Sequence, residues 1–439
     1  MILQPSGVNS VKNAWEKREE GVPRAFGQLR YPLGMAQQDV REVVVIGAGP
    51  AGILAALHAA GKNRDVLLID GGVRPGQKIL LSGGGRCNIV PEIVNPKAFV
   101  TESSPNTLRK ILLSWPLDEV CAFLEKTVRL KLYLQKRTGK TFPVGGGEEA
   151  YERFHAALKR AKVTVRKGAR VEDVLVESPF RLILRNKKEI LARKVVVATG
   201  GCSYPETGSD GAGLEIARRL GHQVVDPYPA LVPLLDSPRI HRRLAGISMD
   251  VHASARGTSM SADFRGGFVF THRGYSGPAV MNVSHVASRG ELVGQHVPVT
   301  ISWSEHTEDE WRALLATGSK TVRGVLKTIF ADRFVDALVA ELDLADARLA
   351  TLRKEDRDRL IDALVRYRLP WQRTGGFDVA EVTGGGVHLS EVDPRTMESR
   401  RVAGLYFCGE ILDAFGPIGG HNFLWAFVTG RLAGIGTKD

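Results

Sequence analysis

The stretch Val43–Gly52, VVVIGAGPAG, decides the fold. Val43, Val44, Val45 and Ile46 read as a buried parallel strand, and the pattern Gly47-x-Gly49-x-x-Gly52 follows at once, opening an alanine-rich helix over Ala51 to Ala60. Gly47 allows the tight turn and Gly49 lets the backbone approach a pyrophosphate. Gly52 lets the helix pack closely on the strand while its first N–H groups face the phosphates. A second strand, Asp65 to Ile69, ends in Asp70, 18 residues past the last motif glycine, where the adenosine ribose hydroxyls of a dinucleotide are held. A glycine pattern alone also matches merely structural turns; strand, helix and terminal acid together point to a dinucleotide. The charge of Asp70 favours a ribose hydroxyl over a 2′-phosphate, hence FAD or NAD over NADP at this first site.

The 439 residues, 43% of them hydrophobic, predict two or three domains with a sizeable core. No run of 18 apolar residues exists, so no membrane span and no membrane partner are expected. The cysteines Cys87, Cys121, Cys202 and Cys408 are scattered without metal-ligand or CxxC spacing, which speaks against a disulfide scaffold, a metal site or a dithiol enzyme and makes a cytoplasmic location the default. A net charge of +12 points to a polyanionic partner, against the plainer reading of an arginine-rich surface with no specific purpose. Residues 1–40 carry Pro5, Pro23, Pro32 and mixed charges without apolar periodicity and read as a flexible leader; Glu16, Glu19 and Glu20 do not suit a transit peptide.

Three consecutive glycines, Gly83 to Gly85, precede Arg86, Cys87 and Asn88 in a loop able to approach a flat or phosphorylated ligand, where the alternative is a plain surface loop. Cys87 fits a buried filler, an acid or a redox-sensitive thiol equally. Lys194 to Gly201 is a second β-branched strand running into glycines, placing Ala198 and Gly200 at the ligand crevice. His222 reads as a residue at the end of the helix that follows. Residues 41–230 therefore form the first part of a dinucleotide-binding domain, 231–304 an inserted β-rich lobe and 305–370 an inserted helical lobe. In that helical lobe, Arg348 to Arg368 presents a basic face, which is more often simply solvated. Residues 371–439 return to the first domain, with a strand from Gly404 ending in Gly409 and Glu410, and Gly419 to Asn422 opening a last helix whose N-terminus can stabilise a reduced flavin.

The segments VVVIGAGPAG, KILLSGGGRCN, VVVATGGCSYPETGSDGAG, PALVPL, FTHRGYSGPAV and GLYFCGEILDAFGPIGGHNFLWAFVTG resemble the bacterial BaiN/RdsA-like family of FAD-dependent oxidoreductases, from about Arg41 to Gly434. The resemblance implies an α/β fold: a Rossmann-like FAD-binding domain of the two-dinucleotide-binding type, with an inserted β-barrel-like lobe and a small helical lobe. It implies that Gly47, Gly49, Ala51 and Gly52 hold the FAD pyrophosphate, Asp70 the ribose, and Gly409 with Glu410 the family's Gly-Glu pair. Lys78, Gly85, Arg86, Cys87 and Asn88 would lie along the flavin with Ala198 and Gly200, while Gly420, Asn422 and Phe423 would line its pyrimidine edge. His421 stands where Tyr is common, and Asp70 where Glu is usual.

Members of that family have been associated with ribosomal RNA dihydrouridine synthesis, aminoacetone oxidation and bile-acid dehydroxylation. The leading expectation is hydride transfer from reduced flavin to C6 of a uracil in large-subunit ribosomal RNA, with an acid protonating C5 and Lys and Arg gripping the phosphates. Cys87 and His421 are the first candidate acids, with Tyr275 and His272 behind them. No second strand-GxGxxG-helix unit is present, so NADPH or NADH, the expected small-molecule electron donor, would visit the same open flavin face. The alternatives are a flavin oxidase or dehydrogenase of an aminoacetone-like amine, and an FAD-bearing assembly protein without catalysis.

Overall fold

The computed structural model describes residues 40–438 apart from 63, 317 and 346; the expected leader, up to residue 39, lies outside the described residues. Val43, Val44 and Val45 are fully buried in the strand Arg41–Ile46, which pairs in parallel with Val66–Ile69 on one side and Glu189–Val197 on the other. Thr164–Arg166 extends the sheet beyond Val66–Ile69, and Leu405–Phe407 pairs in parallel with the last residues of Glu189–Val197. The first half of that long strand instead takes Phe180–Leu184 as an antiparallel neighbour. Since the chain leaves the central strands toward opposite edges, a crevice opens at their carboxyl ends, the place where open α/β sheets bind ligands.

Two helices close over this sheet. Pro50–Ala59 starts directly from the glycine turn, and the closing helix His421–Gly436 crosses it. A side chain on Gly430 or Gly434 would stand 2.3 or 2.4 Å from the carbonyl oxygens of Ala51 and Ala55, so the crossing depends on bare backbone meeting alanines.

The chain then leaves through Val224–Ala230 and comes back through Val382–Val387, two antiparallel strands that pair with each other as a neck. Between them lies a seven-stranded antiparallel sheet running from Tyr367–Arg368 through Val299–Ser302, Ser248–Arg256, Ser261–Phe270, Gly274–Ser276 and Leu234–Leu235 to Arg373–Thr374. Its apolar residues and those of the helices between Glu308 and Val365 form one cluster, in which Trp303 meets Phe334 at 4.9 Å and Trp311 meets Phe330 at 6.0 Å. The stretch read as β-rich also contains a 15-residue helix, Pro278–Leu292. Its valines 280, 283 and 286 suggest strand by type, but their spacing buries all of them on one helical face, and tertiary packing overrides the propensity.

Burial of imidazoles gives the fold a pH signature. His58 stacks on Phe123 at 4.8 Å, His285 meets Phe415 edge-on at 5.5 Å, and desolvation lowers both from 6.5 to about 4. The folded chain therefore binds fewer protons than the unfolded one between pH 6.5 and 4, and stability falls as pH drops through that window. At pH 4.5 the expected loss is on the order of 2 kcal/mol per ring, read as a lower urea midpoint than at pH 7. A midpoint flat from pH 7 to 4.5 would contradict this burial. Among the described residues no helix is long and apolar enough to cross a membrane.

Candidate active site

A cavity of about 930 Å³ lies at the carboxyl ends of the parallel strands, at the upper end of the roughly 300–1,000 Å³ usual for small-molecule sites. Its floor is the glycine turn. A Cβ on Gly47, whose φ is +99°, would lie 2.4 Å from the Ala198 oxygen, and one on Gly52 would lie 1.8 Å from the Gly47 oxygen. Both glycines thus serve the close contact of turn, helix and neighbouring strand. Gly49 differs: its φ is −73°, and a Cβ there would meet nothing within 4 Å, because it would project into the cavity. The three glycines so divide their work as a pyrophosphate-binding turn requires.

At one end of the cavity Asp70 accepts the Ala48 N–H at 2.7 Å on Oδ2 and the Gly72 N–H at 2.8 Å on Oδ1. The shorter acid thereby braces the glycine turn, and each oxygen retains a lone pair for a ribose hydroxyl. At the other end Glu410 organises a polar knot. Its Oε1 accepts the Ser203 hydroxyl at 2.7 Å and the Thr383 N–H at 3.1 Å, and its Oε2 accepts Lys78 at 3.2 Å; Lys78 also donates to Ser203 at 2.8 Å. Thr383 Oγ1 in turn accepts the N–H groups of Cys202 at 2.7 Å and Ser203 at 3.1 Å. The hydroxyl of Thr199, on the cavity wall, is buried without a hydrogen-bond partner among the described residues. That hydroxyl faces Gly213 and not the open space. What fits a phosphorylated, hydroxyl-rich ligand such as FAD is the open cradle over Gly49 at the N-terminus of the helix Pro50–Ala59, with the Asp70 carboxylate beside it.

Of the residues singled out from sequence, Gly47, Gly49, Ala51, Asp70 and Lys78 line the cavity, as do Ala198, Gly200, Glu410, Asn422 and Phe423. Asn422 clamps its own loop, accepting the Gly416 N–H at 2.8 Å and donating to the Gly416 oxygen at 3.0 Å. Gly409 and Gly420 lie behind the wall: a Cβ on Gly409 would meet Ala51 at 2.6 Å and one on Gly420 the Val90 backbone at 2.5 Å. In the glycine loop Gly83 and Gly84 reach the cavity, whereas Gly85, Arg86, Cys87 and Asn88 do not. Cys87 has a φ of +57° and a fully buried side chain, and desolvation pushes its thiol up to about 12. Arg86 turns outward, its guanidinium 5.0 Å over the Phe142 ring. His421 packs edge-on against Phe99 at 5.8 Å, and burial lowers it to about 4. Tyr275 is buried in the second apolar cluster, where it bonds to His241 at 2.5 Å and to the Pro370 oxygen at 3.2 Å.

Sequence reading passed over Ser203, Tyr204, Glu381 and Thr383. Ser203 and Tyr204 come just after Gly200, Gly201 and Cys202, which follow the strand Glu189–Val197, a position that favours ligand contact; nothing local marks Glu381 or Thr383. Tyr204 and Glu381 both line the cavity. The Glu381 side chain is exposed at the cavity, where partial desolvation raises its pKa, an effect that Lys140 opposes.

The profile of the HI0933-like protein Rossmann domain matches residues 41–436. The chain is 33% identical over 390 residues to the ribosomal RNA dihydrouridine synthase of Escherichia coli (strain K12), covering 88% of this chain and 95% of that protein. It is 31% identical over 409 residues to the 3-dehydro-bile acid delta(4,6)-reductase of Clostridium scindens (strain ATCC 35704), covering 90% and 98%. In fold it is similar to the 3-ketosteroid delta1-dehydrogenase of Sterolibacterium denitrificans, with a TM-score of 0.50 at 14% identity over 91% of this chain and all of that one. The chain belongs to the HI0933-like Rossmann family and is an FAD-dependent oxidoreductase.

Proposed function

We propose that the protein reduces a uridine of large-subunit ribosomal RNA to dihydrouridine, with NADPH or NADH as the electron source. The observation that carries this reading is the 33% identity, along 88% of the chain, to a protein named for that reaction. The +12 charge supports a polyanionic substrate.

Reduction of the uracil C5–C6 double bond adds a hydride at C6, the carbon β to the C4 carbonyl, and a proton at C5. Bound in the cavity and reduced, FAD supplies the hydride. The chain supplies the rest. The Lys78–Glu410–Ser203 knot fixes one wall of the cavity, and the glycine turn with Asp70 fixes the opposite end. Glu381 is the proposed proton donor, in place of Cys87 and His421, because it lines the cavity and they do not. Desolvation at the cavity raises its pKa, in the direction a proton donor needs.

A second reading is favoured by the bile-acid relative, whose name also describes reduction of a carbon–carbon double bond. A double bond conjugated to a carbonyl presents the same polarity in both substrates, so the site chemistry transfers while the substrate surface does not. The two are separated by incubating the FAD-loaded protein and NADPH or NADH with unmodified large-subunit rRNA, and in parallel with a 3-oxo-4,6-diene steroid. The proposal expects a uridine to gain two hydrogens, only when reductant is present and less as salt rises. Turnover of the steroid alone would sink it.

A further inference from the structure

The chain's excess charge is not displayed where the sequence places it. Within Arg348 to Arg368 most arginines are engaged: Arg353 and Arg359 both bond Asp356, at 2.9 and 3.0 Å, Arg366 bonds Glu308 and Asp362, and Arg357 caps the carbonyls of Leu315 and Leu352. That helix is a solvated face whose charges cancel locally.

Residues 126–147 behave otherwise. They contain six basic residues and no acidic one. Lys126, Arg129, Lys131, Lys136 and Arg137 are exposed, and none forms an ion pair with a carboxylate among the described residues. Glu92 lies beside Gly139 at the tip without pairing to any of them, and the acids that follow the stretch are occupied, Glu148 by Arg74 and Glu149 by the Gly145 N–H. The segment folds as a hairpin, Leu132–Gln135 against Lys140–Pro143, and the first strand is the outer edge of a three-stranded sheet. On that edge Tyr133 is 44% exposed and stacks at 5.8 Å on its cross-strand partner Phe142. Lys131 and Tyr133 alternate onto the same face of the strand.

The hairpin is continuous with the cavity wall. The Ile89 N–H bonds the Thr141 oxygen at 2.9 Å, the Gly147 N–H bonds the Gly85 oxygen at 2.9 Å, and Gly83 and Gly84 of the same loop line the cavity. Lys140, at the end of the hairpin turn, acts electrostatically on Glu381, which lines the cavity.

Unpaired cations around an exposed, stacked aromatic, next to a cavity that would admit an unstacked base, match the chemistry of single-stranded nucleic acid. We propose that the hairpin 131–143 grips the RNA substrate beside the reacting uridine, its Lys and Arg on phosphates and Tyr133 stacked on a neighbouring base. This rests on the reading of the substrate as RNA.

The test compares the full-length FAD-loaded protein with two triple variants, Lys131→Gln/Lys136→Gln/Arg137→Gln on the hairpin and Lys320→Gln/Lys354→Gln/Arg368→Gln at exposed positions in the helical region. Each carries the same loss of charge. Binding of transcribed, unmodified large-subunit rRNA is measured across a salt series. The hairpin variant is expected to lower the slope of log affinity against log salt by about two, at about 0.7 for each lost single-strand phosphate contact. The helical variant should leave the slope unchanged. Tyr133→Ala is expected to weaken binding about five- to hundredfold without altering the slope. Flavin content and melting temperature, unchanged in all variants, separate this from misfolding. Equal slopes for both triple variants, or parent-like binding by the hairpin variant while uridine reduction proceeds, would overturn the hairpin proposal and leave the RNA reading intact. Hairpin-dependent binding to phosphatidylserine vesicles with no RNA binding or reduction by the parent would overturn both.

Discussion

Gly49→Val is expected to give a folded protein that binds FAD at least a hundredfold more weakly than the parent. The backbone at this position has a φ of −73°, which valine adopts without strain, and a Cβ there meets no atom of the protein within 4 Å. The substitution therefore costs the fold little and occupies only the space proposed for the pyrophosphate. Overpacking of that contact is worth about 3 kcal/mol, or roughly two orders of magnitude in affinity. Gly52→Val makes the contrast, since its Cβ would stand 1.8 Å from the Gly47 oxygen, and the helix Pro50–Ala59 could not stay on its strand. That variant is expected to unfold or aggregate. Flavin absorbance and far-ultraviolet circular dichroism on both proteins read the two effects separately. Parent-like flavin content in Gly49→Val would remove the pyrophosphate from this turn.

Glu410→Ala is the second large effect. The carboxylate accepts three donors, from Lys78, Ser203 and Thr383, and its removal leaves a half-buried ammonium, a hydroxyl and a backbone N–H without that partner. A buried donor left unsatisfied costs about 1–3 kcal/mol, and more when charged. Because the Thr383 N–H belongs to the returning neck strand and Lys78 to the glycine-loop side, the knot joins elements 332 residues apart in the chain. The expected result is a lower melting temperature and FAD binding weakened about ten- to hundredfold, the higher figure corresponding to one such charged loss. Glu410→Gln keeps an acceptor for Ser203 and Thr383 and loses only the charge opposite Lys78, so it should fall between parent and Ala in both measurements. Equal behaviour of Gln and Ala would show that the charge, and not the hydrogen-bonded geometry, is what matters.

The parts of the fold readable from sequence are those whose physics is local. A strand, a tight turn and a helix packed on it demand particular residue types within ten positions, and Val43–Gly52 has them all. The polar knot is illegible for the opposite reason: Ser203 and Thr383 meet across 180 residues, and no spacing in the chain announces it. Cys87 shows how neighbourhood in sequence misleads. It follows three glycines, two of which, Gly83 and Gly84, reach the cavity, but at a φ of +57° its side chain turns into the core, and burial removes the acidity that made it a candidate. The charge is legible in part. Arg348 to Arg368 carries its own acids, Asp356 and Asp362 among them, within helical reach of Arg359 and Arg366, whereas Lys126 to Lys140 has none; what needs the fold is that no distant carboxylate comes to pair with the second run among the described residues.

The proposed reaction is hydride transfer from the flavin of this chain to a uracil ring. It is tested most directly without an external electron donor, by photoreducing the FAD-loaded protein under anaerobic conditions and mixing it with unmodified large-subunit rRNA. Flavin absorbance is expected to return, with mass spectrometry finding about one dihydrouridine formed for each flavin reoxidised. Flavin that stays reduced in the presence of the RNA, or is reoxidised without any uridine gaining two hydrogens, would contradict it.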